Sequence, residues 1–228
     1  MSFVSKRGKS AKLYPRAFEA SKTLRKATSD KAISYISMMP TKIKHLTELI
    51  SQFRDSKDDV LKDCIIPTPS SGPGKNDAIL MTNKKLSEMV KIVISESREL
   101  IEIYECWRMW IQMHTMPIED GQGFGHDVQT EVMTDIASAI DNASALSLSS
   151  TVFHSDRAKM VEKICKYPKI ENFAEALRVA DEMEWRDMSN AIITMRDDAC
   201  HLLDLVQKNR RHLENPFGSS HHLHHSMF

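Results

Sequence analysis

Few side chains in this 228-residue chain are of a type that does chemistry, and none stand at a spacing that would make them cooperate. Gly121, Gly123 and Gly125 invite comparison with a phosphate-binding loop. No strand precedes them, their spacing fits neither a dinucleotide nor a P-loop fingerprint, and no Lys-Ser/Thr pair follows. A turn is expected instead. His114 and His126 flank that turn, but the carboxylate–histidine spacing of a zinc enzyme is absent, so they read as solvated residues at helix ends. Trp107 and Trp110 could form a ligand box, yet helical spacing assigns them first to a core or a helix–helix contact. Glu182, Glu184, Arg186 and Asp187, and further on Arg196, Asp197 and Asp198, read as solvated or subunit-facing charges. His221, His222, His224 and His225 are a metal-capable tract that also looks like part of a purification tag. No nucleophile, base and orienting group can be assembled from these parts. The chain is therefore not expected to be an enzyme, and no cofactor or metal is expected.

What distinguishes the sequence is a contact-making stretch rather than a catalytic one. Met116 to Gly125 reads Met-Pro-Ile-Glu-Asp-Gly-Gln-Gly-Phe-Gly. Residues 75–115 and 126–166 contain neither Pro nor Gly, so this cluster is the strong break in a long run of helix-forming sequence. Proline lacks an amide donor and glycine frees the backbone, which forces the chain out of helix. With Glu119, Asp120 and one apolar residue, Phe124, the stretch predicts a short, shaped, mostly polar tip held between two rigid helices.

The elements that hold this tip follow from apolar periodicity. Helices are expected over about 15–54, 78–115, 126–166 and 170–212. Pro15 suits a first helical turn, and Pro40 predicts a kink within the first helix. The second carries Leu86, Met89, Val93, Leu100, Ile103, Trp107 and Trp110 on one face. Residues 55–77 contain Ile65-Ile66-Pro67-Thr68-Pro69-Ser70-Ser71-Gly72-Pro73-Gly74 and read as a flexible linker. Asn215-Pro216 closes the last helix, and residues 213–228 form a tail. Helices of roughly 35–40 residues rise about 55–60 Å at 1.5 Å per residue. Short connections make neighbours antiparallel. The expected fold class is all-α, an up-down four-helix bundle of long helices forming one domain over 1–228.

Composition bounds the partners. Lys plus Arg and Asp plus Glu each number 31, so no global field would hold nucleic acid. The charge is uneven: residues 1–31 carry nine basic against two acidic side chains, a net +7. No apolar run is long enough to cross a bilayer, and no membrane partner is expected. Cys64, Cys106, Cys165 and Cys200 are scattered and read as reduced thiols of an intracellular protein.

Pro117-Ile118-Glu119-Asp120-Gly121-Gln122-Gly123-Phe124-Gly125, followed by Val128-Gln129 and Glu131-Val132, closely resembles the activation loop and next helix of the 11S (REG) proteasome activators. Glu182-Met183-Glu184-Trp185-Arg186-Asp187 resembles the family's Glu-Ala-Glu-Tyr-Arg-Asp stretch in the last helix. Met195-Arg196, Leu205 and Lys208-Asn209 fall in step with it, and Asn215-Pro216 resembles its closing Lys-Pro. Upstream, Pro40 with Lys42-Ile43 and Ile65-Ile66-Pro67-Thr68-Pro69 match family stretches, so the similarity runs from about residue 15 to the end.

The resemblance implies a heptameric ring, in a homoheptamer, that caps the proteasome 20S core particle without ATP. It implies that C-terminal tails dock between the core's α-subunits and that loops open its gate, so that peptides pass. Carried over by residue, Ile118, Glu119, Asp120, Gly121, Gln122, Gly123, Phe124 and Gly125 would be the gate-opening loop, with Asp120 the acidic contact. Gln122 and Gly123 stand where the family commonly has two asparagines. Ser226, Met227 and Phe228 would be the core-binding C-terminus, Phe228 offering its carboxylate to a lysine. A cytoplasmic or nuclear location is implied. The alternative from the residues alone is a helical adaptor or scaffold that binds partner helices.

Overall fold

The computed structural model of the chain describes residues 15–62, 82–115 and 123–216. Five helices lie in these residues: α1 (Pro15–Asp55), α2 (Lys57–Lys62), α3 (Lys84–His114), α4 (Phe124–Lys166) and α5 (Glu171–Glu214). The fold class is all-α, with four long helices. α1 continues through Pro40, and α4 continues through its serine-rich middle.

The boundaries differ from the sequence expectation where local hydrogen bonds win. α2 lies within the stretch read as a linker over 55–77, which is thereby corrected. Its Asp58 and Asp59 face the positive end of the helix dipole and Lys62 the negative end. Its Val60 is buried. The chain enters α2 without losing its backbone bonds: Ser56 N donates to Gln52 O and Val60 N to Ser56 O. The start of α3 is set by Asn83 at the N-cap, whose Oδ1 accepts from Leu86 N at 3.0 Å. Thr82 and Asn83 are therefore outside the helix that was expected to begin near residue 78. α4 begins two residues before the expected start at 126, and α5 extends two beyond 212 into the expected tail. The remainder of the linker, 63–81, lies outside the described residues.

Contacts divide the chain into two compact units, and the four long helices each contribute to both. The first unit contains α1 up to Pro40, α3 from Glu102, α4 up to Ala137 and α5 from Leu202. Its core is built around Met39, Tyr104, Trp107, Trp110, Ile136 and Val206, all buried. Trp107 is a core residue with a satisfied indole, since its Nε1 donates to Ala32 O at 3.3 Å. On the unit's flank, Glu102 accepts from Lys31 and from the Tyr35 hydroxyl, both at 2.9 Å.

The second unit contains residues 41–101 and 138–201. Leu46, Phe53, Leu86, Val93, Leu177, Met188 and Ile192 fill its core. A buried ion pair sits beside them. Arg157 donates from Nε to Asp181 Oδ1 at 2.9 Å and from an amino nitrogen to Oδ2 at 3.2 Å. Asn83 Nδ2 adds a third bond to Asp181 and also donates to Val60 O at 2.9 Å. One side chain thus caps α3, fastens α2 and completes the shell of a buried carboxylate. Lys42 pairs with Glu96 at 2.7 Å and with Glu99. Glu96 and Glu99 on α3 therefore find a cation within the chain.

Glu184, expected to be solvated or subunit-facing, is instead buried, and its Oε1 has no hydrogen-bond partner among the described residues. Burial, with Asp187 and Asp181 nearby, pushes its carboxyl up to about 7. An acid whose folded value exceeds its unfolded value binds more protons when folded, so its contribution is lost as pH rises from about 4.5 to about 7. Glu184→Gln should therefore be more stable than the parent at pH 8, with the difference shrinking toward pH 5 in urea titrations. Arg157→Met should cost about 3–5 kcal/mol in the same assay, because it strands a buried carboxylate.

Candidate functional site

The candidate site is the end of the first unit at which α3 stops, α4 starts and α5 stops. A helix end leaves backbone carbonyls or amides without intrahelical partners. Here two carbonyl ends and one amide end come together. α4 starts on Gly123, whose carbonyl accepts from His126 N at 2.8 Å and from Asp127 N at 3.2 Å. α3 ends with Thr115 N donating to Gln112 O, and α5 with Asn215 N donating to Arg211 O.

Gln129, in the second turn of α4, joins the three. It is fully buried. Its Nε2 donates to Leu213 O on α5 at 3.0 Å and to His114 O on α3 at 3.4 Å. One amide thus supplies donors to the carbonyl ends of both other helices. A hydrophobic residue here would leave those carbonyls to find water or go unpaired.

Gly125 brings α4 and α5 closer still. A β-carbon at this position would lie 2.2 Å from Pro216 O, 2.6 Å from Pro216 Cα and 2.8 Å from its carbonyl carbon. Backbone meets backbone, and only glycine leaves the room. At Gly123, by contrast, an added β-carbon would meet nothing within 4 Å among the described residues. Phe124 is 72% exposed, and its ring meets His212 edge-on with centroids 5.3 Å apart. Arg211 and His212 in the last turn of α5 suit the negative end of its dipole.

His114, considered above as a ligand or base, is committed to its own helix through Nδ1 to Trp110 O at 2.8 Å. It also meets the Trp110 ring edge-on at 6.0 Å. No group of three or more His, Cys, Asp or Glu able to hold a metal occurs among the described residues. Cys106, Cys165 and Cys200 are free thiols. A cavity of about 460 Å³ in the second unit, lined by His154, Arg157, Val161 and Cys165, contains none of the expected site residues. Among the described residues no helix is long and apolar enough to cross a membrane.

Of the residues expected to act, Gly123, Phe124 and Gly125 stand at this end. Ile118, Glu119, Asp120, Gly121 and Gln122 lie outside the described residues, as do Ser226, Met227 and Phe228. The residues not anticipated are Gln129 as a bridge to Leu213, His212 as the partner of Phe124 and Pro216 as the close neighbour of Gly125. Gln129 carried a signal: it shares a helical face with Val132 and Ile136, where an amide must find a partner.

Comparison with known proteins bears on this end directly. The family model described as "Proteasome activator PA28, C-terminal" matches residues 79–223. Proteasome activator complex subunit 3 of Homo sapiens is 29% identical over 144 residues, 63% of this chain and 57% of that protein. Proteasome activator 28 of Dictyostelium discoideum is 30% identical over 138 residues, 60% of this chain and 61% of the relative. The match thus spans less than two thirds of the length of these relatives. Among solved structures, the 11S subunit of the Plasmodium falciparum proteasome, PA28, superposes with a TM-score of 0.78 at 23% identity. That match covers 89% of this chain and 94% of the other. The mutated P26 activator solved in complex with an archaeal 20S proteasome is represented by a chain matching at TM-score 0.69 and 13% identity, with 88% and 96% coverage.

The two described glycines should respond differently to one methyl group. Gly125→Ala should cost about 1–3 kcal/mol, since the backbone of Pro216 must shift. Gly123→Ala should stay within about 0.5 kcal/mol of the parent. Urea midpoints of the two variants check this.

Proposed function

We propose a function from one premise: the chain belongs to the proteasome activator PA28 family. On this reading the protein is an ATP-independent, non-catalytic regulator of the proteasome 20S core particle. Copies of the chain form a homoheptameric ring, and the ring caps the end of the core. The observation that carries the reading is the gathering, at one end of the first unit, of the chain entering and leaving residues 116–122 and the root of residues 217–228. Segments meant to touch one partner surface must start from one place.

The division of labour follows from physical chemistry. A single short tail carrying Ser226, Met227 and Phe228 binds weakly, but a ring presents many tails, and linked contacts multiply into avidity. Ile118, Glu119, Asp120, Gly121, Gln122, Gly123, Phe124 and Gly125 touch the gate. They favour its open arrangement through contacts made only in that arrangement. Asp120 provides the charge-assisted hydrogen bonds that a neutral side chain would not match. Peptides then pass to the core's own catalytic sites, in the cytoplasm or nucleus.

Titrating the purified chain into latent core particles with a small fluorogenic peptide tests the reading. Hydrolysis should rise severalfold without ATP, and native mass measurement should give seven copies per ring; firm association without any rise would end the proposal. Asp120→Tyr should abolish the rise while co-sedimentation persists. Deleting Met227 and Phe228 should weaken co-sedimentation.

A further inference from the structure

The proposed function gives docking to the tail and gate opening to the loop, as separable tasks. The described end of the first unit does not keep their roots separate. Three contacts of different kinds tie them. Gly125, at the loop's exit, lies so close to Pro216 that a methyl group would overlap the proline backbone. Phe124 rests edge-on against His212. Gln129 holds Leu213 O on the tail's helix and His114 O on the helix that leads into the loop.

We infer that Gly125, Gln129 and His212 are positioning residues that lock the root of the tail to both roots of the loop, so that seating the tail sets where the loop stands. The inference rests on the proposed function for the meaning of the two segments, though the lock itself is a matter of contacts.

The character of the contacts supports a lock rather than casual proximity. The close approach involves the Cα, carbonyl carbon and oxygen of Pro216 together, and the ring fixes its φ, so the main chain has one torsion fewer with which to move aside. A buried amide hydrogen bond is directional, and Gln129 is fully buried, so losing the bond would cost more than it would at the surface. The ring contact adds a third point, and three points fix orientation as well as distance. The contacts that tie α4 to α5 are made by Phe124 and Gly125. Tail-binding free energy can act on the gate only through a stiff connection. A loose root would spend it on ordering the chain.

The test is a crossover. His212→Ala alters the tail's helix and should act on the loop's readout. Gly125→Ala alters the loop's exit and should act on the tail's readout. With the full-length chain and latent core particles, His212→Ala should lower maximal stimulation roughly twofold or more, by loosening the loop against the open gate. Gly125→Ala should raise the half-saturating concentration about tenfold, since small losses per tail multiply around the ring. Hydrogen-exchange mass spectrometry of the free protein gives a second measurement that needs no core particle. Gln129→Leu and His212→Ala should each speed exchange in both segments 110–115 and 209–216. The inference is overturned if each variant acts only on its own segment's readout, or if exchange rises on one side alone. If Gly125→Ala fails to fold, the His212 and Gln129 variants carry the test. If the parent protein does not stimulate the core at all, the functional reading falls while the exchange arm still decides the lock.

Discussion

One buried amide holds the working end of this molecule together. Helix ends repel burial because their last carbonyls lack partners. Two such ends, at His114 and Leu213, approach within the first unit, and Gln129 offers its nitrogen to both. Without a donor there, the ends would have to stay apart or stay wet. With it, they come near enough that Gly125 and Pro216 touch through their main chains. Glycine at 125, the early start of α4 at Phe124 and the extension of α5 to Glu214 all belong to this one arrangement.

The second unit solves a similar problem with charge. Asp181 is fully buried and would be costly alone. Bidentate pairing with Arg157 and a bond from Asn83 meet that cost. Glu184, one turn further along α5, received no such partner and keeps its proton near neutrality. Two buried carboxylates on one helix thus differ in what the neighbouring helices supply to them.

Much of the fold was legible in the chain. Leu86, Met89, Val93, Leu100, Ile103, Trp107 and Trp110 mark the buried face of α3 by spacing alone, and all are buried. Proline and glycine mark the breaks. What escaped was decided by partners distant in sequence. α2 hides in a polar stretch, since only Val60 faces inward. Asn83 looks like an ordinary polar residue before two lysines until its three hydrogen bonds are seen. Gln129 stands out on an apolar face, but nothing near it in the chain names Leu213. Glu184 reads as one charge among many in Glu182–Asp187, and burial of that position depends on tertiary packing. At the candidate site the family motif pointed to residues 118–125, of which Gly123, Phe124 and Gly125 are described, whereas the junction beneath those three became visible only in three dimensions.

The fastening of Asn83 to Val60 has a consequence for how this protein can change over time. The chain departs after Lys62 and returns at Thr82, and its point of return is tied directly to the last turn before its departure. One side chain therefore serves both anchors: a substitution at Asn83 would release α2, uncap α3 and remove a bond from Asp181 in a single step, so this position can change only together with its neighbours.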